Sequence, residues 1–160
     1  MMSPLMMSPH RLGRWWELVF ERTAKRYGCD VERAGYHDVF DRIVDGILVQ
    51  CKITMSPGKD GRVIIGPFKT RLRKDGTRER RYRDDDFKVL VLNVCGVVYL
   101  IPSVMLLDPK HNGYLRRRIH PKFYEQFIEN RNILFAVDDF ESNTGRIFCP
   151  CPVKRQLKLF

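Results

Sequence analysis

Phe40-Asp41-Arg42-Ile43-Val44-Asp45-Gly46-Ile47-Leu48-Val49-Gln50-Cys51-Lys52 is the stretch that decides the fold. Asp45-Gly46 lies between two apolar, β-branched runs, and a two-residue type I′ turn needs positive φ at both central residues. The stretch therefore reads as a β-hairpin with Val44 opposite Ile47, Ile43 opposite Leu48, Arg42 opposite Val49 and Asp41 opposite Gln50. Side chains alternate between faces along a strand. Asp41, Ile43, Leu48, Gln50 and Lys52 then share one face, while Phe40, Val44, Ile47, Val49, Cys51 and Ile53 share the other and bury it. A carboxylate, an amide and an ammonium converge at one end of an otherwise apolar hairpin. Polar groups at a strand end are ordinarily a solvated rim; three of them facing the same way on apolar strands point to a site.

Upstream, Ser8 is a suitable N-cap with Pro9 at the first helical position, and Gly28 is a stop signal. Between them Leu12, Trp15, Trp16, Val19, Phe20, Ala24 and Tyr27 recur at helical spacing and form a broad apolar face, with the tryptophans in the core. Glu17 falls at the edge of that face, whereas Glu21 points nearly away from it. A strand is expected over 29–33, another over 61–66, and a single helical turn over 83–87. Lys88 to Asn93 and Val97 to Ile101 read as strands covered on both sides, since their hydrophobicity is continuous rather than alternating. A helix start at 104–107, a helix over 121–130 and strands over 133–137 and 146–149 complete the pattern. The sum is an α/β chain: a mixed central β-sheet flanked by helices.

The 160 residues make one domain, long enough to bury a core, and a hydrophobic content of 44% excludes disorder. No run of eighteen apolar residues exists, so no membrane span is expected, and residues 1–9 lack the layout of a signal peptide. They read as a flexible lead-in, and a cytoplasmic location follows. Five cysteines, an odd number, read as free thiols, and Cys149-Pro150-Cys151 lacks the spacer of a zinc knuckle. The formal net charge of +10 favours a polyanionic partner. The charge is concentrated: Lys69, Arg71, Arg73, Lys74, Arg78, Arg80, Arg81 and Arg83 crowd fifteen positions around Asp75-Gly76. This stretch reads as an extended arm or hairpin whose guanidiniums grip phosphates or base edges. Arg116, Arg117 and Arg118, followed by Lys122, form a smaller patch.

Asp41 on one strand and Gln50-x-Lys52 on the next resemble the signature of the PD-(D/E)XK nuclease superfamily, with Gln50 in place of the second acid and Phe40 in place of the proline. Gly13-Arg-Trp-Trp-Glu17 is similar to the helix setting from which such nucleases supply a further Glu. Within the superfamily the chain looks most like the small intron-associated homing endonucleases, on Arg81-Tyr82-Arg83-Asp-Asp-Asp-Phe87 and Val98-Tyr99-Leu-Ile-Pro102. The resemblance implies a restriction-endonuclease-like fold and a site-specific DNA endonuclease that hydrolyses phosphodiester bonds with Mg²⁺, Mn²⁺ being a substitute. By the same resemblance Glu17, Asp41, Gln50 and Lys52 are catalytic. Asp41, Gln50 and Glu17 would hold metal, and Lys52 would stabilise transition-state charge or help activate water. A core at 10–107 would carry the arm at 66–83, and 108–160 would extend the same domain and offer an interface, through residues such as Phe148 and Leu157 to Phe160. Double-stranded DNA is the implied partner, and a homodimer or homotetramer the implied assembly, because one site cuts one strand. Two alternatives use the same residues: a structure-selective nuclease resembling a Holliday junction resolvase, and a DNA-binding module without catalysis.

Overall fold

The computed structural model describes residues 7–35, 38–66, 68–72 and 76–130. Helix α1 (Pro9–Arg26) starts where expected: the Ser8 hydroxyl accepts from Arg11 N–H at 3.4 Å, with Pro9 in the first turn. It ends on Lys25 and Arg26, which suit the negative end of the helix dipole, and Gly28 then takes φ +79°. Strands β1 (Val31–Arg33), β2 (Arg42–Val44) and β3 (Ile47–Thr54) follow. The β2–β3 turn has Asp45 at φ 48° and Gly46 at φ 82°, and the register pairs Arg42 with Val49, Ile43 with Leu48 and Val44 with Ile47, as the sequence dictates.

Strands β4 (Val63–Ile64), β5 (Phe68–Leu72) and β6 (Gly76–Arg80) lie outside the main sheet. Among the described residues β5 and β6 pair antiparallel and only with each other, so the basic arm is a hairpin of its own. The chain re-enters the main sheet as β7 (Val89–Val94), parallel to β3, and turns through Cys95 and Gly96 into β8 (Val97–Pro102). β9 (Arg118–Ile119) pairs with β4, a short helix α2 (Pro121–Tyr124) follows, and β10 (Ile128–Asn130) closes the sheet beside β8. The strand order is β1-β2-β3-β7-β8-β10, with β3–β7 its parallel pair. This is the mixed α/β sheet read from the sequence.

Every residue of β7 is buried, because both faces of the sheet are covered. On one face Trp16, Val19, Phe20 and Ala24 of α1 pack on Val44, Val49, Cys51, Val89, Val91, Val98 and Leu100. Trp16 is fully buried and its indole N–H donates to the Val91 carbonyl at 3.2 Å. The other face, Leu90, Leu92, Tyr99 and Ile101, is roofed by Val63, Ile65, Tyr82, Phe87, Leu106, Leu115, Ile119, Tyr124 and Phe127. That second layer is mostly β4–β9, turns and short helices rather than a long helix.

Several expectations need correcting. Residues 121–130 are not one helix: α2 passes into a 3₁₀ turn (Glu125–Phe127) and then β10, since pairing with β8 outweighs local helical propensity. Residues 83–87 form a turn, in which Arg83 N–H donates to Asp86 Oδ2 at 2.7 Å. Phe40 does not join Val44 and Val49; β2 begins only at Arg42, and Phe40 packs into the second cluster with Leu48. Glu21 is buried at 4% exposure instead of facing water. The expected strands at 133–137 and 146–149, Cys149, Cys151, Phe148 and Leu157 to Phe160 lie outside the described residues, as do Arg73 and Lys74.

Candidate active site

Asp41 stands where the β2 ladder has just run out. Its backbone N–H still donates to the Val49 carbonyl at 2.9 Å, and its carboxylate Oδ2 accepts from Cys51 N–H at 2.8 Å, supplying the acceptor that the missing strand would have given. Burial, helped by the charge of Glu17, pushes the Asp41 carboxyl up to about 7, against the Cys51 N–H and the cations Lys52 and Arg42. Burial also lowers the Lys52 ammonium below its ordinary range, with Asp41 opposing that shift. Asp41 and Lys52 thus feel each other across the end of the hairpin. Lys52 Nζ lies 5.3 Å from the centroid of the Tyr82 ring, and Tyr82 itself is buried. Between them in sequence, Gln50 is 6% exposed; its Nε2 donates to the Cys51 carbonyl at 3.4 Å, and its Oε1 is buried without a hydrogen-bond partner.

That orphaned oxygen bears on whether a cation fits. A buried acceptor left unsatisfied costs about 1–3 kcal/mol, and a hard cation or its water removes the deficit. The ionised Asp41 carboxylate is compensated only in part, since burial and Glu17 outweigh the Cys51 N–H and the nearby cations. Among the described residues no three His, Cys, Asp or Glu side chains gather into a metal cluster. The donor set is therefore lean: one carboxylate, one amide oxygen and, at the helix edge, Glu17. All three are oxygen ligands, which suits Mg²⁺ with several retained waters.

Sequence reasoning missed Arg42. It is buried at 6% exposure, and its guanidinium holds both acids of α1: Nη1 to Glu17 Oε2 at 3.2 Å and Nε to Glu21 Oε2 at 2.9 Å. Nη1 also donates to its neighbour's carbonyl, that of Asp41, at 2.8 Å. Glu21 further binds Lys25 and Arg33, each at 2.9 Å. Burial pulls its carboxyl upward, but the Arg33 and Lys25 hydrogen bonds and the Arg42 charge outweigh it and hold Glu21 at about 2. Glu17 is thus beside Asp41 as expected, yet with its carboxylate engaged by Arg42. A signal existed in the sequence: a lone Arg at an inward position of an apolar strand, and two Glu four residues apart on the facing helix.

The basic residues divide. Lys69, Arg71, Arg78 and Arg80 lie on β5 and β6, with Lys69 opposite Glu79, Arg71 opposite Thr77 and Thr70 opposite Arg78. The Arg81 guanidinium donates to Asp108 Oδ2 and to the Leu115 carbonyl, both at 2.8 Å. It ties the end of the arm to the 107–116 loop. The same pair, with the Lys110 N–H and His111, holds the Asp108 carboxyl well below its usual range. Arg83 lies over the Tyr114 ring at 5.5 Å and is exposed; Arg116 lies over Phe123 at 5.2 Å, and Arg117 is exposed.

No protein-family model matches the chain, and no curated protein matches it in sequence. Among solved structures it is similar to a bacterial homing endonuclease, I-Ssp6803I, at 20% sequence identity and a TM-score of 0.53. The likeness covers 71% of this chain and 78% of that one. The mixed sheet with α1 across one face is thus an architecture this chain shares with a bacterial homing endonuclease.

Proposed function

We propose that this chain is a metal-dependent DNA endonuclease of the PD-(D/E)XK type, similar in action to homing endonucleases. The observation that carries the reading is the juxtaposition at the hairpin end: a half-buried carboxylate at Asp41, a Lys52 ammonium that senses its charge, and an unpartnered Gln50 oxygen on the same strand as Lys52. The similar solved structure is that of a homing endonuclease, which makes DNA the substrate to test first. Asp41 and Gln50 would hold Mg²⁺, with Glu17 assisting. Bound there, the ion would supply positive charge at the phosphoryl oxygens and a water that is easier to deprotonate. Lys52, kept partly desolvated over Tyr82, neutralises charge as it builds on the phosphoryl oxygens and orients the attacking water. Arg42 holds Glu17 and the Asp41 backbone, so the carboxylate stays at the end of the ladder. The arm contacts phosphates and groove edges, and a dimer or tetramer brings two such sites to the two strands.

The deciding experiment is cleavage of a diverse duplex library with Mg²⁺ or EDTA, by wild type and Lys52→Ala. Metal-dependent cuts at a recurrent sequence, absent from the variant, support the proposal. Cuts confined to branched DNA would make the chain a structure-selective nuclease. Tight binding without Lys52-dependent cleavage would leave a DNA-binding module. Asp41→Ala should likewise lose cutting and keep most affinity, while neutralising Arg71, Arg73 and Arg80 together should do the reverse.

A further inference from the structure

A second cluster of cations lies apart from the arm. Lys59, Arg62 and Arg118 line an open groove of about 330 Å³ together with Gly58, Asp60 and Ile64. The small β4–β9 sheet builds it: Val63 and Ile119 pair and face the core, while Ile64 and Arg118 pair and face out, Ile64 at 62% exposure. The 3₁₀ turn Lys59–Gly61 brings the other two cations alongside. That turn is pinned. Gly58 N–H donates to the Arg62 carbonyl at 2.8 Å, the Tyr124 hydroxyl donates to the Gly61 carbonyl at 2.7 Å, and Pro121 packs so closely on Gly61 that a Cβ there would meet it at 2.7 Å.

None of the three cations is in an ion pair among the described residues, and Asp60 is the one carboxylate on the groove. Gathering like charges on a braced scaffold does nothing for folding, and it makes a positive surface that attracts an anion. The groove is also joined to the candidate active site through packed groups. Lys52 lies over the Tyr82 ring, Gly66 packs on that ring, and Leu115 N–H donates to the Tyr82 carbonyl at 2.8 Å. Ile65 N–H then donates to the Arg117 carbonyl at 2.8 Å, one residue from both Ile64 and Arg118.

We propose that the groove lined by Lys59, Arg62 and Arg118 is a backbone-phosphate site that holds the DNA duplex at a second point, beyond the scissile phosphodiester. Arg62 and Arg118 grip the phosphate, Lys59 adds charge, and exposed Ile64 meets the apolar side of a deoxyribose. The inference rests on the nuclease reading for its partner.

Its test is the salt dependence of binding to a fluorescent duplex without divalent metal, for wild type, Arg62→Gln/Arg118→Gln and Arg14→Gln. Arg14 is exposed on α1 and serves as the control for charge alone. Each lost phosphate contact lowers the slope of log affinity against log salt by about 0.9, so the double variant should lose nearly two and Arg14→Gln none. An unchanged slope in the double variant, or an equal loss per charge in Arg14→Gln, overturns the groove and leaves the nuclease reading standing. Wild type that shows no salt-dependent duplex binding overturns both. Each single glutamine variant, at an exposed position, should lose about half the effect and keep the wild-type melting temperature.

Discussion

Without divalent metal, Asp41 destabilises the folded chain as the pH rises. Its folded value of about 7 lies above the ordinary 3.8 of a free carboxyl. Between those values the native state holds a proton that the unfolded state releases. The Asp41 contribution is therefore most favourable at low pH, falls as pH rises through this window and levels off above about 7, the loss being on the order of 4 kcal/mol. Asp41→Asn, which keeps the acceptor for Cys51 N–H, should melt higher than wild type at pH 8 in EDTA and equally at pH 4. Mg²⁺ should raise the wild-type melting temperature and leave that of Asp41→Asn unmoved; a shift in both would place the ion elsewhere. Arg42 works in the opposite direction. Removing it leaves Glu21 buried with its remaining partners at the rim, and breaking such a pair costs about 3–5 kcal/mol. Arg42→Leu should show that loss in urea unfolding at pH 7. The deficit should shrink only in strong acid, because the Glu21 contribution is present above the ordinary carboxyl range and is lost as pH falls through about 2.

At the scale of the element, two glycines separate backbone need from backbone tolerance. Gly46 closes the β2–β3 turn at φ 82°, a conformation that costs an L-residue roughly 1–2 kcal/mol. Gly13 sits in mid-helix with nothing within 4 Å of an added Cβ, so an alanine there gains about 0.5–1 kcal/mol of helix stability. Gly46→Ala should therefore lower the urea midpoint and Gly13→Ala raise it, with the m-value unchanged in both. Equal effects would mean that the turn is not held in its I′ form. Helix α1 also explains why the site is where it is. Its buried stripe fixes it on the β3–β7–β8 face, which brings Glu17 and Glu21 over Arg42 at the place where β2 ends.

For the molecule as a whole, the arm and the sheet are separable. Among the described residues β5 and β6 form a two-stranded sheet that shares no ladder with the other strands. Replacing residues 68–80 by a short Gly/Ser linker should leave the far-ultraviolet dichroism and a cooperative melt intact while weakening duplex binding at least tenfold at moderate salt. Collapse of the melt would mean that the arm is part of the core.

The sequence by itself determined whatever depends on neighbours a few residues away. The hairpin register, the N-cap of α1, its apolar stripe and the both-sides burial of β7 and β8 follow from period, turn chemistry and continuous hydrophobicity. They are local, so a single strand of text carries them. The placing of Asp41 against the 50–52 end of β3 was legible for the same reason: one tight turn fixes the register. Only the tertiary structure decided the rest. Arg42 joins two residues of a helix that lies 21 and 25 positions away, and Arg81 is bound to Asp108, 27 positions on. Residues 128–130 become a strand because β8 offers an unpaired edge. Partners of this kind are chosen by packing, which brings together residues whose spacing in sequence has no periodicity to read.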